Sequence, residues 1–132
     1  MNIVIDECIF LNQLKDKIRY IMVSKPFDKK KIADYIQNGF TPILNFYQLI
    51  APFDMEDILN EIHFYKDLNC LFYITDLGLV YQLKQEGCIN KVIFDPITLI
   101  TNTLDAKEYY NEGVRALGIS NEILLDDAIN IA

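Results

Sequence analysis

Short apolar runs alternate along this chain with longer stretches in which apolar residues recur every three or four positions. The short runs are typical of buried strands, and the longer stretches have the periodicity of helices that bury one face. Three glycines, Gly39, Gly87 and Gly113, stand between a helical stretch and the run that follows it. Glycine is common there because it adopts the left-handed conformation that ends a helix. The pattern predicts six strands: Ile3–Ile5, Tyr20–Val23, Ile43–Phe46, Leu71–Ile74, Val92–Phe94 and Ala116–Ile119.

The stretches between these strands predict crossover helices. Each has an apolar stripe on one face, formed in chain order by Leu11, Leu14 and Ile18; Ile32, Ala33 and Ile36; Ile58, Leu59 and Ile62; Leu79, Val80 and Leu83; Ala106, Tyr109 and Tyr110; and Leu124, Leu125 and Ala128. Asp28 and Asp54 are predicted to be helix N-caps, because a side-chain oxygen at that position accepts from the first turn. None of the connections has the tight turn of a hairpin, so we expect the strands to be parallel.

Repeating strand–helix units of this kind form either an open doubly wound sheet or a closed barrel of eight units. The chain has 132 residues, whereas a full barrel typically needs roughly 200–250. The chain is therefore short for a closed barrel: either the sheet is open, or this is the N-terminal part of something longer. In both cases we expect a single α/β domain with a parallel sheet of about six strands.

Composition narrows the class of protein. The net charge is −7, which argues against a nucleic-acid-binding surface because such binding depends on neutralising phosphates. No apolar run is long enough to span a membrane, and the acidic N-terminus does not resemble a secretory signal. The three cysteines form no CxxC motif, so we predict reduced thiols in a cytoplasmic protein. With a single histidine, we predict no metal site.

Polar residues follow the predicted strands at one edge of the sheet. In parallel α/β sheets, ligands bind beyond the carboxyl ends of the strands. Helix capping is the simpler explanation for any one of these residues. Because such residues recur at one edge of the sheet, we favour a ligand-binding site formed by several of them together. The candidates are Asp6, Ser24, Lys25, Asn45, Thr75, Asp76, Asp95, Ser120, Asn121 and Glu122.

Four motifs occur in a characteristic order after residue 40. They are Ile43-Leu44-Asn45, Phe72-Tyr73-Ile74-Thr75-Asp76-Leu77-Gly78, Asp95-Pro96 running to Thr101-Asn102, and Gly118-Ile119-Ser120-Asn121-Glu122-Ile123-Leu124-Leu125. In this order, residues 41–131 resemble the N-terminal part of the peptidase U32 family, the collagenase-like proteases. Over residues 1–40 only the layout of strands and helices agrees with that of the family.

The resemblance implies a partial, TIM-barrel-like fold in which this chain is the N-terminal part of a longer barrel, together with a hydrolase activity and a binding face at the strand ends. It makes Asp76 and Glu122 the candidate catalytic residues, which would bind substrate or act in acid–base roles. Asn45 and Asn102 would then bind a peptide or other small substrate through hydrogen bonds, and we add Asp95 to this binding set from its position after a strand.

Two alternatives stay open at this stage. Some members of the family resemble factors for hydroxylation of RNA or quinone precursors, and these can carry an iron–sulfur cluster. The cysteine-bearing segment of the family follows the part matched here, and Cys8, Cys70 and Cys88 do not correspond to it, so no cofactor is identifiable in this chain. The other alternative is a binding module without catalysis. A partial barrel also leaves an exposed sheet edge, through which we expect homo-oligomers.

Overall fold

A computed structural model describes residues 3–8, 11–14, 16–48, 50–97 and 99–131. The strands are β1 (Val4–Asp6), β2 (Tyr20–Val23), β3 (Thr41–Phe46), β4 (Leu71–Ile74), β5 (Val92–Phe94) and β6 (Ala116–Leu117). The helices are α1 (Leu11–Leu14), α2 (Lys29–Gln37), α3 (Met55–Tyr65), α4 (Leu77–Gln85), α5 (Thr103–Asn111) and α6 (Leu125–Ile131), with a 3₁₀ turn at Ile89–Lys91 before β5.

The six strands form one parallel sheet in the order β1-β2-β3-β4-β5-β6, curled into a half-barrel. The prediction of a partial barrel built from repeating strand–helix units is thereby confirmed. Because spatial order follows chain order without reversal, and crossovers between parallel strands are right-handed, the helices stack on one face. β1 and β6 are the end strands of the sheet. Self-association through these edges stays a prediction.

Three strands differ in their bounds from those predicted. β1 runs one residue later and takes in Asp6. β3 begins two residues earlier because Thr41 pairs with Tyr20 of β2, and the Thr41 amide donates to the Arg19 carbonyl at 2.7 Å. β6 ends at Leu117, opposite Phe94, because the ladder stops where β5 stops.

The core lies between the helices and the sheet. Every second strand residue packs into it, including Leu44, Phe46, Phe72 and Ile74, against α2, α3 and α4. Phe46 and Phe72 meet edge to face with ring centroids 6.2 Å apart. Both rings are fully buried, and burial of a side chain of this size contributes roughly 1.5–3 kcal/mol relative to its exposure. This packing fixes which strand residues face the helices and which face the opposite, concave side.

The two predicted N-caps, at the starts of α2 and α3, differ in their hydrogen bonds. Asp28 caps α2 as predicted, accepting from the amides of Lys30 at 2.9 Å and Lys31 at 3.4 Å. Asp54 stands at the N-cap position of α3, but its side chain makes no capping hydrogen bond within the described part of the chain. The difference follows from the backbone, which is extended at Asp28 and already helical at Asp54.

No helix among the described residues is both long and apolar enough to cross a membrane. The three cysteines are free thiols. Cys70 is buried, which raises the pKa of its thiol to about 11, whereas Cys8 is exposed.

Candidate functional site

The concave face of the half-barrel carries the strand residues that alternate with the core. Met22, Ile43 and Leu71 are register partners and form an apolar row across β2, β3 and β4. Two residues further along the strands, Asn45 pairs with Tyr73. The face therefore changes from apolar to polar toward the carboxyl ends of the strands, which is the edge where ligands bind in such sheets.

Tyr73 connects two strand ends on this face. Its hydroxyl donates a hydrogen bond to Oδ2 of Asp95, the first residue after β5. Partial burial raises the pKa of Tyr73, and the hydrogen bond to Asp95 and the charge of that carboxylate raise it further. Tyr73 is therefore a neutral hydrogen-bond donor over the ordinary pH range.

The Asp95 carboxylate is half-buried and is held on both oxygens. Its Oδ1 accepts from the backbone amide of Ile97 at 2.8 Å, and its Oδ2 accepts from Tyr73. Ile97 has a φ of +67°, a conformation that is strained for a β-branched residue. Strained backbone of this kind clusters at functional sites.

Asn45, on β3, is the register partner of Tyr73, on β4. Its Oδ1 accepts from the backbone amide of Tyr47 at 2.8 Å, which leaves its Nδ2 group to donate elsewhere. The same turn places the Tyr47 ring against that of Tyr73, nearly parallel at 17° and with centroids 6.2 Å apart. Tyr47 is 56% exposed. We call Asn45, Tyr47, Tyr73 and Asp95 the concave-face cluster.

Gly118, directly after β6, leaves the space that Asp95 occupies. A Cβ atom at Gly118 would lie 2.4 Å from Cγ of Asp95 and 2.7 Å from its Oδ1, well inside van der Waals contact. The Gly118 amide also donates to the Phe94 carbonyl at 2.8 Å, so its backbone is fixed there. Glycine at this position therefore permits the carboxylate to sit against the neighbouring strand.

Asp76 binds two backbone amides. Its Oδ1 accepts from Leu79 at 2.9 Å, which caps α4, and its Oδ2 accepts from Ile50 at 3.3 Å, in the segment after β3. The neighbouring Thr75 hydroxyl donates to the Gln48 carbonyl at 3.2 Å. These bonds join the exits of β3 and β4, and give Asp76 a structural role whether or not it is catalytic.

Asn102 is an exposed N-cap of α5. Its Oδ1 accepts from the amides of Leu104 at 2.9 Å and Asp105 at 3.0 Å, and its Nδ2 donates to the Asp105 carboxylate at 2.7 Å. Glu122 is also exposed, in a turn where its amide donates to Oγ of Ser120 at 3.2 Å. The predicted set is thus divided: Tyr73 joins Asn45 and Asp95, whereas Asp76 and Asn102 cap their own helices.

The sequence-based prediction did not include Tyr47, Tyr73 or Gly118. For Tyr73 a usable signal was present, because it lies between Phe72 and Ile74 in a strand whose alternate residues face the core. Side chains alternate between the two faces of a strand, so Tyr73 shares a face with Asn45 in the next strand. The contact between Gly118 and Asp95 had no such signal, because it depends on how two loops pack.

Two further concavities lie away from this cluster. A groove of about 530 Å³ at the β6 edge is lined by residues of α5, β6 and α6, including Tyr110, Leu117 and Ile131. A smaller one, of about 290 Å³, lies between α4 and α5. The surface that lines both concavities is mainly apolar.

Among the described residues, no group of three or more histidine, cysteine or acidic side chains is arranged to hold a metal ion. Comparison with protein-family models and with curated proteins finds no match to this chain. The relation to the U32 peptidases therefore depends on the sequence motifs alone and stays a prediction.

Proposed function

We propose that this chain is a U32-type peptidase domain and that it binds an extended peptide across the carboxyl ends of β3, β4 and β5. The observation that supports this most is the cluster formed by Asn45, Tyr73 and Asp95. In it, the Tyr73 ring lies between a hydrogen-bond donor, the Asn45 side-chain amide, and an acceptor, the Asp95 carboxylate.

The hydrogen-bonding pattern of the cluster matches that of a peptide. Asn45 has its Oδ1 bound to the Tyr47 amide, so its Nδ2 is oriented to donate to a substrate carbonyl. Asp95 accepts on both oxygens, and each oxygen of a carboxylate has a second lone pair for a substrate N–H. Donor and acceptor are thus both present, as main-chain recognition requires.

The spacing favours an extended ligand of several residues. β3 and β5 are separated by β4, and neighbouring strands lie about 4.8 Å apart, so Asn45 and Asp95 are roughly 10 Å apart in the hydrogen-bonding direction. An extended chain advances about 3.3–3.6 Å per residue. About three residues therefore span the two groups, with the Tyr73 ring beneath the middle one.

The predicted catalytic carboxylates, Asp76 and Glu122, belong to this proposal. Hydrolysis of an amide needs a base to activate water and an acid to protonate the leaving nitrogen. Asp76 stands at the exit of β4 and is half-exposed, and Glu122 is exposed in the turn after β6, so solvent reaches both residues.

The test is cleavage of an internally quenched, gelatin-derived peptide of about eight residues by the purified chain. Asp76→Asn retains an oxygen that can cap α4 but removes the carboxylate. We expect it to lower kcat by at least about a hundredfold with an unchanged circular dichroism spectrum. Asp95→Asn should instead raise KM, because it removes a charged acceptor from the binding face.

Binding without cleavage distinguishes the alternative of a non-catalytic module. If wild-type protein binds the peptide by isothermal titration calorimetry but does not cleave it, the peptidase part of the proposal is wrong and the binding part is retained. If it does neither, or if Asp95→Asn and Asn45→Asp bind like the wild type, the concave-face cluster is not a peptide site.

A further inference from the structure

We propose that the concave-face cluster recognises a positively charged side chain, lysine or arginine, in its peptide ligand. This inference rests on the proposed peptide-binding function and adds the chemical class of side chain that the site selects. It comes from the surroundings of Asp95 and from the exposed aromatic pair beside it.

Asp95 differs in its partners from the acidic residues that form ion pairs with lysines. Glu7, Glu61 and Glu112 each pair with a lysine, namely Lys31, Lys25 and Lys84. The polar contacts of Asp95 in the described structure come from neutral donors, the Tyr73 hydroxyl and the Ile97 amide. Neither of these partners carries a charge that would compensate the carboxylate, and a cation from a ligand would do so.

The aromatic pair supplies the second element of the recognition. Tyr47 and Tyr73 are stacked, and Tyr47 is 56% exposed, so part of the aromatic surface of the pair is open to solvent. Ring faces attract ammonium and guanidinium groups. The methylene stem of lysine or arginine also packs well on such a surface while its charged end stays polar.

The dimensions fit this arrangement. Tyr73 is bonded to Asp95 through its hydroxyl, so one end of its ring is adjacent to the carboxylate, and its centroid is 6.2 Å from that of Tyr47. An extended lysine stem has a similar length of roughly 5–6 Å, from the bond lengths of its four methylene groups. A lysine or arginine stem packed on the Tyr73 ring would therefore bring its charge to Asp95.

The same chain shows that lysine packs on aromatic rings where an acid is near. Lys25 lies 4.8 Å from the Phe46 ring centroid while it pairs with Glu61 at 2.8 Å. The proposed site would repeat this combination of ring and carboxylate, with the cation supplied by the ligand.

The experiment compares three blocked tripeptides, Ac-Ala-Lys-Ala-NH2, its norleucine analogue and its glutamate analogue, binding to the full chain by titration in amide-resolved NMR spectra. Norleucine retains the lysine stem without the charge. We expect the lysine peptide to bind about tenfold more tightly than the norleucine peptide, and the glutamate peptide to bind weakest. The difference should shrink as salt rises.

Two variants assign that difference to the site. Asp95→Asn should abolish the preference for lysine over norleucine, and Tyr47→Leu should reduce it. Glu108→Gln, which removes one negative charge from an exposed position on α5, is the matched control and should leave the preference unchanged. Equal binding of the lysine and norleucine peptides to the wild type would overturn the charge selectivity while leaving peptide binding intact. Binding of none of the three peptides would overturn the proposed function itself.

Discussion

Replacing Gly118 with alanine should displace the Asp95 side chain from the concave face. The added Cβ would lie 2.4 Å from Cγ of Asp95 and 2.7 Å from both its Cβ and its Oδ1. Carbon atoms in favourable contact are about 3.5–4.0 Å apart, so the overlap is severe. Because the Cβ of Asp95 is one of the crowded atoms, rotation of the carboxylate alone cannot relieve it. The backbone after β5 or β6 must move.

The expected change in the free energy of unfolding is the balance of two effects. Overpacking of this kind typically costs about 1–3 kcal/mol. Against this, alanine restricts the unfolded chain more than glycine does, which stabilises by about 0.4–1 kcal/mol where the native φ suits alanine. Gly118 lies outside the left-handed region, so this gain applies. We therefore expect a net destabilisation of about 1–2 kcal/mol.

Urea unfolding followed by circular dichroism measures this difference. Gly78→Ala is the matched control, because the Cβ there would meet Oδ1 of Asp76 at 3.1 Å and Cε of Met55 at 3.7 Å, contacts that small shifts relieve. Since Gly78 lies in α4, alanine there should be neutral or should stabilise by up to about 1 kcal/mol.

A double mutant tests whether the cost arises from Asp95. Asp95→Gly removes all three crowded atoms, so Gly118→Ala should cost nothing in that background. A coupling of at least about 1 kcal/mol between the two changes would support the reasoning. The reasoning is refuted if Gly118→Ala is as stable as the wild type, or if its cost is the same with and without the Asp95 side chain.

Two further predictions concern the N-caps of α2 and α3 and the half-buried phenol group of Tyr73. Asp28→Ala should lower the free energy of unfolding by about 1 kcal/mol, because it removes the N-cap of α2. The Asp54 side chain makes no capping bond within the described residues, so Asp54→Ala should change the free energy of unfolding by less than about 0.5 kcal/mol. Equal losses for the two variants in urea unfolding would contradict the capping argument. Because burial and Asp95 raise the pKa of Tyr73, its proton is held in the folded protein and lost in the unfolded protein above pH of about 10. Stability should therefore fall as the pH rises above that value, and Tyr73→Phe should show a shallower fall; identical slopes would exclude Tyr73 as the cause.

The candidate site was predictable in part. Asn45 and Asp95 were identified because polar residues at the carboxyl ends of parallel strands meet at one edge, and the structure connects them through Tyr73. Asp76 was selected by the same rule and Asn102 by the family resemblance, yet both cap helices. For Asp76 this follows because a strand exit in this fold is also the position before a helix. The two roles favour the same residue types, so position in the sequence does not separate them.

By itself, the sequence determined the order of the strands and helices. It could do so because the spacing of apolar residues and the positions of glycines specify each element locally along the chain. It also determined the partition of each strand into a core side and an opposite side, since side chains alternate. Only the tertiary structure decided which opposite-side residues touch. The bond from Tyr73 to Asp95 and the space that Gly118 leaves for that carboxylate depend on the curl of the sheet and on the path of two loops. Both are set by packing between segments distant in sequence, which no local pattern specifies.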